Sequence, residues 1–189
     1  MNQKNQRLPE LQIKSVIALY SNGQMQEALN GVETLTKDYP DEPLLYNLSG
    51  ACYKAIGQLD VAVKSFEKAL ALKPDYTEVN YNLGVTLKEL GQLDAAVKSY
   101  EQAVAIKPDY AVAYHNLGNV LLGLKREDEA LASYKSAIVL NPNLDFILSD
   151  LLCTKMSLCL WDDLAKHLDE LTNKINNGEK VINPFHMLA

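Results

Sequence analysis

The sequence predicts an all-α solenoid of about five helix pairs, and three observations predict it. Between Pro43 and Pro142 the chain repeats itself: Gly50, Gly84 and Gly118, then Ala62, Ala96 and Ala130, then Phe66, Tyr100 and Tyr134, then Ala69, Ala103 and Ala137, then Pro74, Pro108 and Pro142 each recur every 34 residues. A period of that size marks units that cannot bury their apolar face alone and so stack on their neighbours. Within a period the apolar residues return at helical spacing, as in Val79, Leu83, Leu87 and Leu90. Glycine and proline supply the punctuation. Gly57 and Gly91 stand where a left-handed residue ends a first helix, and the prolines stop the second, having no N–H and restricting the residue before them.

Taken in order, the first period runs from residue 9 to 42 and keeps the pattern in part, with Gly23 at the turn, Ala28 in the second helix and Pro40 closing it. Val16 stands in the glycine position, and Val32 and Leu35 replace the aromatic and alanine. Helices are expected near Leu11 to Ser21 and Met25 to Asp38. The second unit, 43–76, has helices near Leu44 to Ile56 and Leu59 to Leu72; the third, 77–110, near Val79 to Leu90 and Leu93 to Ile106. Small Gly84, Ala96 and Ala103 let the third pair approach closely while Tyr100 fills the space between. In the fourth, 111–144, Lys125-Arg126-Glu127-Asp128 replaces the glycine turn, which predicts a less regular connection. Its carboxylates favour a helix start.

The fifth unit, 145–178, changes vocabulary. Helices are expected from Asp145 to Leu158 and from Trp161 to Ile175, yet Leu152 replaces the glycine, and Leu164, Leu168 and Leu171 replace the small-aromatic-small set. Leu151, Leu152, Leu158, Leu160 and Trp161 read as a cap over the end of the stack. A tail, 179–189, follows Asn176-Asn177-Gly178, and six of the eight residues from Val181 to Leu188 are apolar. Such a composition seeks a surface: this chain's last helices, a second copy in a homodimer, or a further domain.

The repeated positions, with Tyr46 and Tyr114 before the glycine and Asn82-Leu83-Gly84 and Asn116-Leu117-Gly118, resemble the tetratricopeptide repeat. The resemblance covers about 170 residues and implies a right-handed superhelix whose first helices line a concave groove for a protein or an extended peptide. A narrower resemblance rests on Cys159-Leu160-Trp161-Asp162-Asp163-Leu164 and on Asn183-Pro184-Phe185. These are similar to the junction between repeats and catalytic region in O-linked N-acetylglucosamine transferases and their SPINDLY-type relatives, although Leu160 stands where that family has Asp. It implies the recognition array of such an enzyme without its chemistry. The alternative is a free-standing adaptor for protein assembly.

By register, the groove candidates are Asn47 and Lys54, then Tyr81, Asn82 and Lys88, then His115, Asn116 and Asn119, then Asp150. Asn82, Asn116 and Asp150 recur one period apart, and Leu48 occupies the matching place in the second unit. In the transferase family asparagines at this place form a ladder on the peptide backbone. A side-chain amide suits that role because it both donates and accepts. The clamp by which chaperone-binding relatives hold a terminal carboxylate is absent, since Ile13, Ile17, Leu48 and Asn82 take its positions.

Composition narrows the function classes. A net charge of −6 and a pI near 5.1 argue against nucleic acid, which needs a basic stripe. Cys52, Cys153 and Cys159 are odd in number and lack metal-ligand spacing, so neither a disulfide framework nor a metal or cofactor is expected. No nucleophile can be paired by pattern with His115 or His167, so no catalytic residue is assigned, and His167 is expected on a solvated helix face. Met1 to Gln12 is polar and no apolar run reaches about 18 residues, which predicts a soluble cytoplasmic protein without membrane contact.

Overall fold

The computed structural model describes residues 9–179, and among these there are ten α-helices and no strand. They are α1 (Glu10–Ser21), α2 (Met25–Asp38), α3 (Pro43–Ala55), α4 (Leu59–Leu72), α5 (Thr77–Glu89), α6 (Leu93–Ile106), α7 (Ala111–Gly123), α8 (Glu127–Leu140), α9 (Ile147–Ser157) and α10 (Leu164–Asn176). The chain forms two compact units that divide after Gly91. In the first, α1 to α5 pack each on the next; in the second, α6 to α10 do the same. The tail read from the sequence lies outside the described residues from residue 180 on, and so does the homodimer contact assigned to it.

Within a pair, the approach of the two helices is set by an aromatic ring lying on a glycine. A Cβ on Gly50 would stand 2.6 Å from the Phe66 ring, and one on Gly118 would stand 2.5 Å from the Tyr134 ring. Both rings are fully buried, so neither can yield cheaply. The first pair solves the same problem the other way round. Val16 on α1 replaces the glycine, and the small residue moves to α2, where a Cβ on Gly31 would lie 2.8 Å from the Val16 methyl. Val16 then joins Ala28, Leu29, Val32 and Leu35 in one cluster with Leu45 and Cys52 of α3.

The first helix of each pair ends in a left-handed residue whose N–H groups return to the last turn. Gly57 N–H donates to Lys54 O at 3.0 Å and Gln58 N–H to Tyr53 O at 2.9 Å, which satisfies two orphan carbonyls. The expected irregularity at Lys125 is corrected here. Lys125 takes the left-handed angle (φ 62°), and Lys125 and Arg126 donate to Leu122 O and Leu121 O at 3.0 and 2.9 Å, as at Gly57. The hydrogen bonds and the burial of α8 outweigh the cost of a β-carbon at positive φ, about 1 kcal/mol. Arg126 also clasps Glu129 through Nε and a terminal nitrogen at 2.6 and 2.7 Å.

The fifth pair departs from expectation at both helix starts. Phe146 is left-handed (φ 64°), so α9 begins at Ile147 rather than Asp145. Cys159 forms the same left-handed helix end as the glycines, but Asp163 is left-handed too (φ 58°), which delays α10 from Trp161 to Leu164. The ammonium of buried Lys155 donates to Asp162 O and holds that extra turn. Leu151 and Leu152 are buried, whereas Leu160 is exposed and Trp161 is 57% exposed, so more than half of the indole stays open.

The pairing geometry predicts opposite signs for two glycines of α7. Gly118→Ala gains about 1 kcal/mol of helix propensity but overpacks the ring by about 1–3 kcal/mol, a net loss. A Cβ on Gly123 would meet Leu93 at an ordinary 3.5 Å, so Gly123→Ala should gain about 0.5 kcal/mol. Urea denaturation of the two variants measures both.

Candidate functional site

In the first unit the candidates lie on α3 and α5. Asn82 Nδ2 donates to Asn47 Oδ1 at 3.2 Å across 35 residues, both side chains half-buried. Asn47 also bonds Tyr76; burial pushes that phenol up, this hydrogen bond pulls it down, and Glu78 and Glu42 add a smaller upward push. Asn82 is held from its other side, since its backbone oxygen accepts from Thr86 Oγ1 at 2.7 Å. Lys54 pairs with Glu89 at 3.0 Å, Lys88 is exposed, and Tyr81 is half-buried. An ion pair as open as Lys54–Glu89 contributes about 0–1 kcal/mol, so it orders the surface more than it stabilises the fold.

In the second unit the candidates lie on α7 and α9. His115 Nε2 meets Asp150 Oδ2 at 2.7 Å, again across 35 residues. Asp150 is 0% exposed and the His115 side chain 14%. Asp150 therefore lies beneath the surface, which corrects its expected place among ligand-facing residues. The residues around it, Ile147, Leu148, Ser149, Leu151 and Leu152, are all buried, because nearly the whole circumference of α9 is covered. Tyr134 Oη donates to Asn119 Oδ1 at 2.7 Å, and its ring lies 5.9 Å from the His115 ring. Burial, then the charges of Asp150 and Cys153, push the Tyr134 phenol far up. Asn116 Nδ2 donates to Val112 O at 3.2 Å within its own helix.

The pattern could not place a carboxylate beside a histidine, and the fold does so at His115. An imidazole held by a carboxylate is the base half of a hydrolytic triad. The thiol nearest that carboxylate in sequence is Cys153, pushed up first by burial and then by Asp150, so it stays protonated and a poor nucleophile. The pair is a structural tie between α7 and α9. His167 is half-buried against the protein, not on a solvated face. Among the described residues no group of three or more His, Cys, Asp or Glu could hold a metal, and no helix is long and apolar enough to cross a membrane.

The two ties share one register. Asn47 and His115 lie 68 residues apart, as do Asn82 and Asp150. Each ladder residue thus reaches back one period plus one residue, to the neighbouring first helix of its unit. That offset was visible in the letters; which residue it would bury was not.

Models of the tetratricopeptide repeat match residues 50–91, 86–125 and 111–144, together just over half of the chain. The chain belongs to the tetratricopeptide-repeat family. Its fold is similar to that of MamA (TM-score 0.79, 22% identity, covering 86% of this chain and 95% of that one). It is equally similar to the segment of MamA of Desulfovibrio magneticus from residue 41 to the end (0.79, 21%, 89% and 95%). YrrB, described as a tetratricopeptide-repeat protein with an unusual peptide-binding site, aligns at 0.72 with 22% identity over 84% of this chain and 81% of YrrB. Among curated proteins, peroxisomal targeting signal receptors of Kluyveromyces lactis and Candida glabrata match at 28% over 74 residues and 25% over 82 residues. These matches cover 39% and 43% of this chain but 13% and 14% of the receptors, so the chain spans about one seventh of their length.

If the repeat's His115 and Asp150 act as a tie, removing one partner strands a buried charge. His115→Ala should cost about 3 kcal/mol in urea denaturation, and adding Asp150→Asn should return part of it.

Proposed function

We propose that this protein-interaction scaffold binds extended peptide on the outward face of the first helices within each unit. The observation that carries the reading is the half-exposed asparagine at one register, Asn82 on α5 and Asn116 on α7, with Asn47 and Asn119 beside them. A side-chain amide can bond peptide groups whatever the peptide's side chains. The tie to Asn47 uses one hydrogen of the Asn82 amide, and it holds the side chain in one rotamer, which reduces the entropy lost on binding. In the first unit Lys54, Tyr81 and Lys88 flank the asparagines; in the second His115 stands beside Asn116 and Asn119, held from below by Asp150. The peptide-binding site named for YrrB supports the class of ligand. The protein works as an adaptor that carries no chemistry of its own.

A second, finer reading makes the chain the recognition array of an O-linked N-acetylglucosamine transferase-like enzyme. It is favoured by Cys159-Leu160-Trp161 after the last full repeat, where Trp161 stands exposed and available to a following domain. Sequencing the source DNA past the codon for Ala189 separates the two: a long open frame supports the enzyme, an immediate stop the adaptor.

For the peptide reading, a peptide selected against the chain from a random library serves as the probe. Asn82→Ala with Asn116→Ala should weaken it about tenfold or more, from about 1 kcal/mol per hydrogen bond, with helix content by circular dichroism unchanged. Unchanged affinity in titration calorimetry would sink the reading.

A further inference from the structure

Packing alone does not account for the hydroxyl of Tyr134. Phe66 holds the same place in the second pair, and both rings are fully buried over a glycine, so the packing is met without an oxygen. The Tyr134 oxygen instead meets Asn119 Oδ1 at 2.7 Å. That length is usual for O–H···O and short for N–H···O, which makes the phenol the donor and fixes which end of the amide turns inward. Burial, then the charges of Asp150 and Cys153, keep the phenol protonated, so it does not exchange roles.

One turn earlier on α7, His115 is fixed in a similar way. Its ring lies 5.9 Å from that of Tyr134, and its Nε2 meets Asp150 Oδ2 at 2.7 Å. An ionised carboxylate only accepts, so Nε2 carries the proton and Nδ1 of the neutral ring is left as an acceptor. Asn119 has the opposite polarity, with two N–H donors on Nδ2. Neither His115 Nδ1 nor Asn119 Nδ2 has a hydrogen-bond partner among the described residues, and neither is sealed from solvent. Residues four apart on a helix carry their β-carbons about 5–6 Å apart, so acceptor and donors share one small patch.

We propose, on the footing that this surface binds peptide, that His115 and Asn119 together hold one amide group of the ligand. Its C=O accepts from Asn119 Nδ2 and its N–H donates to His115 Nδ1, with Tyr134 the positioning residue that sets the polarity. A carboxylate or an ester offers the oxygen without the N–H and satisfies only half of the pair. The amide can come from the backbone, since one residue of an extended chain presents its N–H and C=O to the same partner, or from the side-chain carboxamide of Gln or Asn.

Titration calorimetry with the library-selected peptide tests the assignment. Asn119→Asp keeps an acceptor for Tyr134 and puts oxygen in place of the amino group, so affinity should fall about tenfold or more. Tyr134→Phe, for which Phe66 is the precedent in packing, should weaken the peptide about threefold or more, yet cost nothing further once Asn119 is replaced by Ala. A merely structural hydroxyl would cost the same in both backgrounds. Two sets of altered peptides locate the amide: backbone nitrogens methylated one at a time, and Gln or Asn replaced by Glu or Asp. A loss of about tenfold at one position, absent in Asn119→Ala, assigns the backbone in the first set and the side chain in the second; no such position in either set overturns the proposal. Affinity that survives Asn119→Asp, while Asn82→Ala with Asn116→Ala still weakens the peptide, overturns the amide assignment alone. Indifference to all of these substitutions removes the peptide-binding surface with it.

Discussion

The structure depends on how closely two antiparallel helices can approach, and that distance is set by a ring lying on a hydrogen atom. Gly50 beneath Phe66 and Gly118 beneath Tyr134 leave no room for a methyl group. Once the separation is set, the alanines at Ala62, Ala69, Ala130 and Ala137 bury completely, and the next helix has a flat surface to stack on. The first pair shows that the constraint is the sum of the two side chains, since Val16 over Gly31 meets it with the sizes exchanged.

Most of this was legible because it is local or periodic. The second helices were expected at Met25 to Asp38, Leu59 to Leu72 and Leu93 to Ile106, and they run between those residues, with glycine or proline near each end. What escaped were left-handed residues that carry a side chain. Lys125, Phe146, Cys159 and Asp163 adopt positive φ without any letter that announces it. The surrounding structure imposes the angle: α8 must return along α7 whether or not glycine is present.

The candidate surface was legible only to the level of register. Asn82, Asn116 and Asp150 look equivalent in sequence, yet one is half-exposed and tied to an amide, and another is sealed beneath an imidazole. The difference arises from what surrounds each helix. α5 and α7 carry their buried residues with half-exposed ones between, whereas α9 is buried almost all round, so a carboxylate at the same register is enclosed. Burial of that kind belongs to neighbours, and no single period encodes it.

The paired ties also bear on how such an array can change by recombination. Repeats of equal length invite unequal crossing-over, and at the level of packing the second and fourth units are near substitutes for each other. Their polar ties are not. Exchanging the segment bearing His115 for the one bearing Asn47 would leave the buried Asp150 facing an amide in place of an imidazole, a poor match for an ionised carboxylate. The two positions 35 residues apart would have to be exchanged together, so the 34-residue period of the backbone overstates how freely its units can be shuffled.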